Sequence, residues 1–432
     1  MIPTLFMPDR KLAPYWWETT PRPSLPATPV PESIDVLVIG SGYTGLHAAL
    51  QTARGGRSTL VVDAEEAGWG CSTRNGGQIS TSVKPGFDVL AARHGPQMAY
   101  DIIREGQRSL EWIGEFIAAE KLECDFGVVG RFHAAHNAKQ FEQLAQRTAE
   151  QPKGLEVDAQ VVTRAEQHGE LGTDVYHGGV VYTRHASLDP GRYHQGLLDR
   201  VVAAGATVIA RCPVTGIERD GSGFRVTTAL GTVRARAVVV ATNGYTGQLT
   251  PWLRRRVIPI GSYIIATEPL PAAQMARLMP RNRIVSDTRK VVLYYRASPD
   301  RQRILFGGRV SSSETDPAIS GPLLHAEMVN IFPELCDTRI SHSWCGFIAY
   351  TFDELAHIGS HEGIHYAMGY CGSGVGMASY LGMRLGQQVL GLQQGRTAFE
   401  GIKFQTRPLY SGNPWFLAPS IHYYRWRDRQ ER

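Results

Sequence analysis

The chain has no pair of cysteines in a CxxC arrangement, no membrane-length apolar run and no long block of one charge. Each absence removes a class of function. The six cysteines, Cys71, Cys124, Cys212, Cys336, Cys345 and Cys371, lie far apart and suggest neither a disulfide framework, a zinc site nor a dithiol redox centre. No apolar stretch reaches the roughly 18 residues that span a bilayer. The first residues carry Asp9, Arg10, Lys11 and several prolines where a signal peptide needs an apolar core, so the cytoplasm is the expected location. Lys and Arg number 45 against 40 Asp and Glu, and the basic clusters are as short as Arg254 to Arg256, which gives no nucleic-acid surface. Apart from the lead-in from Pro21 to Pro31 there is no Pro- or Ser-rich linker, and there is no internal repeat. At 432 residues the chain exceeds one ordinary hydrophobic core, so two domains able to enclose a large cofactor are expected.

The most informative segment begins at Asp35. DVLVIG, from Asp35 to Gly40, is the continuous apolar run of a buried parallel strand. GSGYTG follows from Gly40 to Gly45, then LHAALQTARGG with helical spacing and a glycine stop at Gly55 and Gly56. A second apolar run, Ser58 to Val62, ends in Asp63, about twenty residues after the first glycine. In this arrangement Gly40 permits the turn, Gly42 lets backbone amides approach a pyrophosphate, and Gly45 lets helix and strand pack closely. Tyr43 and Thr44 open the helix, whose N-terminus offers positive dipole to phosphates. Asp63 can accept hydrogen bonds from both ribose hydroxyls and would repel a 2′-phosphate, so FAD or NAD fits and NADP does not.

Three further stretches favour FAD. Ala67 to Ser80, AGWGCSTRNGGQIS, replaces a second crossover helix with a glycine-rich polar segment that can lie along an extended FAD. There Arg74 can meet the pyrophosphate or flavin, and Asn75, Gly76, Gly77 and Gln78 can offer amides to the isoalloxazine edge. RARAVVVATNG, Arg234 to Gly244, reads as a buried strand ending at Ala241 in a small turn, after a hairpin-like pair of runs, Pro213 to Arg219 and Gly223 to Thr228. Gly363 to Gly386 again reads strand, glycine turn, helix, predicting a second helix N-terminus near Gly374 to Met377. Aimed at a flavin, its dipole stabilises the charge gained on reduction by about 1 kcal/mol or more.

Taken together, VIGSGYTGLHAAL (Val38 to Leu50), GWGCSTRNGGQ (Gly68 to Gln78), SLDPGRYHQGL (Ser187 to Leu197), ATNGYTGQL (Ala241 to Leu249), YYRASPDRQRILFGG (Tyr294 to Gly308) and GYCGSGVGM (Gly369 to Met377) resemble the FAD-dependent D-amino acid oxidase-like superfamily. Within it the chain looks closest to bacterial gamma-glutamylputrescine oxidases, from about residue 33 to the C-terminal YYRWRDR. The resemblance implies an α/β fold in which a Rossmann-like FAD-binding domain of the glutathione-reductase type is interleaved with a substrate domain on a mixed, largely antiparallel β-sheet. The implied segments are 30–90, 180–250 and 345–400 for FAD, and 91–179 and 251–344 for substrate, with 401–432 as a tail on the site or an interface. It implies FAD held by Gly40, Gly42, Gly45, Asp63, Arg74, Gly76 and Gln78, adenine contact through Val214, and Gly372, Gly374, Val375, Gly376 and Met377 near the flavin. Cys345 lies near the place where some amine oxidases attach flavin, but its spacing to Asp353 is one residue off, so noncovalent FAD is favoured.

The chemistry so implied is loss of a hydride from the carbon bearing an amine, with hydrolysis of the imine and reduction of molecular oxygen to peroxide. An alkyl amine has a pKa near 10, so presenting it neutral at pH 7 costs about 4 kcal/mol unless the pocket lowers that value. Tyr263, Tyr294, Tyr295, Trp344, Phe347 and Tyr350 are the expected aromatic lining. His357 is the candidate base, Tyr294 a catalytic candidate, and Lys290 stands roughly where relatives carry an oxygen-activating lysine. Arg296 and Arg309 are candidates for a substrate carboxylate. A dehydrogenase passing electrons to a quinone or carrier, and a flavin-holding scaffold without turnover, are the alternatives. A disulfide reductase and an NADPH-dependent hydroxylase lack their motifs.

Overall fold

A computed structural model describes residues 5–81, 83–311 and 313–430. Two sheets organise them. The first has eight strands, with Val214–Asp220, Gly223–Thr228, Gly231–Val240, Ser33–Ile39, Thr59–Val62 and Thr207–Ile209 in that order. Its centre is parallel: Ser33–Ile39 lies between Gly231–Val240 and Thr59–Val62, and Thr59–Val62 also pairs with Thr207–Ile209. Val36, Leu37, Val38, Leu60, Val61 and Val62 are all at most 3% exposed, as expected of strands covered on both faces. The sheet forks at Gly231–Val240. That strand's first half pairs antiparallel with Gly223–Thr228 and its last residues pair in parallel with Ile364–Met368.

The Tyr43–Arg54 helix crosses from the first strand and packs on the Gly374–Val389 helix. Closeness there requires glycine: a Cβ on Gly45 would stand 1.9 Å from the Gly40 carbonyl oxygen, and one on Gly382 2.6 Å from that of Thr44. The amphipathic Pro96–Ala119 helix joins the same core through Ile102, Leu110, Ile113 and Phe116.

The second sheet has nine strands, ordered Phe6–Lys11, Ile340–Tyr350, Ile258–Thr267, Ile304–Gly308, Leu293–Ala297, Ile284–Asp287, Arg131–Ala134, Gly179–Tyr182 and Ala159–Val162. Only its pairings of Phe6–Lys11 with Ile340–Tyr350 and of Ile284–Asp287 with Arg131–Ala134 are parallel. The fold class is therefore as expected, with a mixed and largely antiparallel second sheet.

The segment boundaries differ in detail from those expected. Ile340–Tyr350 carries the second sheet past residue 345, because its register with Ile258–Thr267 continues unbroken to Tyr350. The Pro96–Ala119 helix, expected on the substrate side, packs on the helices of the first sheet, since an apolar stripe shows that a helix is covered and not by what. Phe6–Lys11 lies outside every expected segment. Residues 431 and 432 of the expected tail are outside the described residues.

Candidate functional site

Both sheets open on one cavity of about 1690 Å³. It exceeds the few hundred to 1,000 Å³ of ordinary ligand pockets, so a dinucleotide and a substrate fit together. On the first sheet its wall begins at the glycine turn. Gly40 takes φ +105°, a conformation that a side chain would strain, and Gly42 has no room for a Cβ, which would lie 2.8 Å from Ser72 Oγ. Tyr43 and Thr44 line the cavity with their backbone, for their side chains turn inward. Tyr43 donates to the Pro190 carbonyl at 3.2 Å, and Thr44 Oγ1 bonds Tyr370 at 2.6 Å. Asp63 accepts from Ser41 N at 2.7 Å and Ser41 Oγ at 2.6 Å, which fixes its carboxylate beside Val214 and Ala241 in the wall.

The Ala67–Ser80 stretch runs along the same wall. Arg74 stacks between the indoles of Trp17 and Trp69, at 4.7 and 4.3 Å, and donates to the Trp69 and Cys345 carbonyls. Asn75 Oδ1 accepts from Gly77 N, and its amide donates to the Cys71 and Ser72 carbonyls, so this side chain shapes the turn. Gln78 reaches to the second sheet, donating to the Tyr295 carbonyl at 3.1 Å. At the far end, Gly372 and Gly374 border the cavity, and a Cβ on Gly374 would meet nothing within 4 Å. The Gly374–Val389 helix has no side-chain cap, so its first amides face open space where an electron-rich ring can lie. A bare glycine turn, an acid fixed by Ser41 and an uncapped helix N-terminus along one continuous wall fit FAD.

The second sheet supplies the opposite wall. Tyr294 faces the cavity, with its ring close to Gly76 and its hydroxyl 2.8 Å from Ser262 Oγ. Burial pushes its pKa well above the ordinary tyrosine value, so it stays protonated at neutral pH. Tyr350 lines the cavity under Lys84, whose Nζ lies 5.2 Å from the ring centroid. Burial pulls the Lys84 pKa down, and Tyr350, Cys371 and Glu354 together offset this, leaving it above its usual value. Lys290 stands exposed at the rim. Next to it Asp428 of the Leu417–Gln430 helix accepts from the Lys290 and Val291 amides at 3.1 and 3.2 Å. Phe416, Leu417, Ser420 and Ile421 thereby close one side of the cavity, so the tail covers the site.

Several expected residues lie elsewhere. Gly45, Gly77, Gly376 and Met377 are not in the cavity wall: Gly45 serves helix packing, Gly77 abuts the Leu188 carbonyl, Gly376 faces Ile79 and Ser109, and Met377 is in the core. Tyr295 points to the other side of its strand from Tyr294, into a buried bond with Tyr176. Tyr263 is fully buried and donates to Glu314, and Trp344 packs with Trp16 and donates to the Arg74 carbonyl. Phe347 turns its ring to Tyr245.

His357 is not positioned as a base. It is 1% exposed, stacked at 4.0 Å on Phe404, and held by Asp353 at 3.1 Å. Arg296 is buried outside the cavity wall and donates to the Gly77, Leu188 and Ala297 carbonyls, tying the Gly77 turn to the second sheet. Arg309 does line the cavity, but Glu314 at 2.9 Å meets its charge. Cys345 packs against the core of the second sheet, outside the cavity wall.

Sequence reading overlooked Lys84, Arg131 and His133, which all line the cavity. Arg-Phe-His-Ala, from Arg131 to Ala134, did carry a signal: strict alternation with the apolar pair on one face and the basic pair on the other.

Comparisons with known proteins agree with this site. Residues 35–388 match the family model described as FAD dependent oxidoreductase (DAO). The chain is 31% identical over 408 residues to a gamma-glutamylputrescine oxidoreductase of Escherichia coli, covering 91% of this chain and 93% of that one. It is 30% identical over 409 residues to a probable oxidoreductase, OrdL, of Haemophilus influenzae, covering 92% and 93%. In fold it is similar to glycine oxidase from Geobacillus kaustophilus, with TM-score 0.71 and 18% identity, over 88% of this chain and 99% of that one. With a glycine-turn wall that fits the cofactor and a family match over most of its length, the chain belongs to the DAO family of FAD-dependent oxidoreductases.

Proposed function

We propose that this protein is an oxidase that removes a hydride from the carbon next to an amine, the amine being of the gamma-glutamylputrescine kind. The observation that carries this reading is the makeup of the wall facing the uncapped helix. Tyr294, Tyr350 and the solvent-exposed cation Lys84 line it, with Glu354 an exposed carboxylate of the same cavity wall. Cationic neighbours disfavour a second positive charge, so an amine entering this space loses its proton to solvent more readily than in water. That lowers the roughly 4 kcal/mol needed to present it neutral at pH 7. The aromatic rings exclude water and hold the carbon chain. FAD, bound noncovalently, supplies the hydride acceptor.

The two electrons and one proton that leave the carbon give an iminium, which water hydrolyses to an aldehyde and ammonia. Molecular oxygen takes up the two electrons with two protons as hydrogen peroxide. Tyr294, protonated and anchored by Ser262, orients the amine as a hydrogen-bond partner and moves no proton. The tail helix, locked by Asp428, shields the site from solvent during the step.

The relative from E. coli supports the choice of substrate, and the experiment follows from it. Gamma-glutamylputrescine, putrescine, N-methyl amino acids and D- and L-amino acids are supplied in air, with oxygen uptake and peroxide recorded. Equal uptake and peroxide with the first substrate is the expected result. Turnover that needs an added quinone, with no peroxide, makes the protein a dehydrogenase instead.

A further inference from the structure

Among the described residues lining the cavity, ten are Lys or Arg and five are Asp or Glu, and the excess is not evenly placed. Most of these cations have evident partners or reach solvent. Arg289 pairs with Asp287, Arg309 with Glu314, and Arg74 sits between two indoles. Arg131 differs. Its guanidinium lies 4.9 Å from the Tyr182 ring centroid and makes no ion pair among the described residues; its Nε is buried without a hydrogen-bond partner, as are Nε and Nη2 of Arg309, whose charge Glu314 meets. Burial pulls its pKa below the ordinary arginine value, with Tyr182 the group that opposes the shift. A half-buried guanidinium that lines a cavity and has no carboxylate partner is a site that attracts an anion.

The register of the second sheet places this group. Tyr294 stands opposite Ser286, and Ser286 opposite His133, forming one row across three strands. His133 Nδ1 lies 3.0 Å from Ser286 Oγ, which confirms a shared face. Arg131, two residues before His133 and opposite the cavity-lining Ile284, is on that face too. Burial, then Arg131 itself, pushes His133 down to about 3, so it is a neutral wall and adds no charge. Arg147 of the Ala138–Ala149 helix, exposed at the rim, is the next cation along this lobe. Two strand spacings and a two-residue offset along the strands separate Arg131 from Tyr294, about 12 Å. The glycine turn that fits a pyrophosphate belongs to the other sheet, so this lobe is free for substrate.

We infer that Arg131, with Arg147 at the rim, forms a subsite for a carboxylate carried at the end of the substrate remote from the carbon that is oxidised. The inference rests on the amine-oxidase reading for the near end and goes beyond it for the far end. A span of about 12 Å corresponds to about ten or eleven bonds of extended chain. The substrate class is thus a long amine with a terminal carboxylate rather than a compact amino acid, and Arg131 presents the planar fork that grips a carboxylate in two places.

The test uses the FAD-loaded protein and two probes. N-butylglutaramate has the carboxylate end and no amine, and its binding is read from perturbation of the flavin spectrum without turnover. N-acetylputrescine has the amine and no carboxylate, and is read by anaerobic flavin reduction. Arg131→Met is expected to weaken N-butylglutaramate binding at least about tenfold, with Arg131→Lys intermediate, while N-acetylputrescine reduces both variants within about twofold of the parent. Arg147→Ala, at an exposed position that cannot unfold the protein, is expected to weaken the same probe about threefold and covers the case in which Arg131→Met does not fold. Unchanged N-butylglutaramate binding in the variants, no binding to the parent protein, or equal losses with both probes would overturn the subsite. If no amine reduces the flavin but Arg131→Met still loses N-butylglutaramate, the reaction reading fails and the subsite stands.

Discussion

The two sheets meet the cavity by different means. The first builds its wall from short local runs of the chain, among them Gly40 to Thr44, Gly68 to Ser72, Val240 to Asn243 and Tyr370 to Val375, each shaped by its own turn. The second builds its wall from cross-strand rows such as His133, Ser286 and Tyr294, whose members lie far apart in sequence. A local wall is specified by the dihedral angles and amides of its turns, so it tolerates almost no change at a few positions. A cross-strand wall is specified by register, and its individual side chains can change without unmaking the sheet. The cofactor side should accordingly be brittle, and the substrate side tunable.

The sharpest way to break this contrast is Gly45→Val. Its Cβ would fall within 1.9 Å of the Gly40 carbonyl oxygen, forcing the helix off the strand. The expected result is a protein that keeps no yellow colour after gel filtration and loses about 3 kcal/mol or more in denaturant unfolding.

Arg296→Met comes next. It strips hydrogen bonds from the buried Gly77 and Leu188 carbonyls that join the two walls, at an expected cost of about 3 kcal/mol. Affinity for carboxylated probes in the refolded holoprotein should stay within about twofold. A large loss of affinity with unchanged stability would return Arg296 to the substrate.

Acid should weaken both sides, since burial pushes His133 of the substrate wall down to about 3 as well; the cofactor side supplies two such groups. His47 and His194 are fully buried beside the first helix and the glycine turn, bonding Tyr193 and the Ser41 carbonyl at 2.8 Å each. Burial pushes both down to about 3. With the folded value below the unfolded one of about 6.5, the unfolded chain binds more protons between these limits. Stability present above pH 6.5 is therefore lost as the pH falls toward 3, by on the order of 1 kcal/mol per pH unit for each histidine. Melting temperatures measured from pH 8 to pH 4 should fall below pH 6.5, with a shallower fall in His47→Gln.

The smallest expected effect on catalysis belongs to His357→Asn. Its ring is stacked on Phe404 and tied to Asp353, so the rate of flavin reduction should stay within about twofold while stability drops. A hundredfold loss of that rate, with the pH profile flattened, would restore His357 as a base.

This same contrast explains what the sequence made legible. The glycine turn, Asp63 and the second helix N-terminus at Gly374 were readable, because spacing along the chain is what their chemistry requires, whereas the mixed second sheet followed only from the family resemblance. The substrate wall was not readable. Tyr294 and Tyr295 were grouped although adjacent strand residues face opposite ways, so only one could meet the cavity. His357 and Trp344 lie in the right segments and point into packed surroundings, a matter of register that no local pattern reveals. Arg131 and His133 showed their alternation, but nothing in four residues told that their polar face looked onto an enclosed space rather than open solvent.

The central claim is tested most directly by mixing the purified yellow protein with gamma-glutamylputrescine in the absence of oxygen and following the flavin band at roughly 450 nm. The account predicts that the band bleaches, faster as the pH rises toward the amine's own value, and returns with peroxide when air is admitted. A protein that binds FAD but keeps its colour with this and every other amine supplied would contradict it.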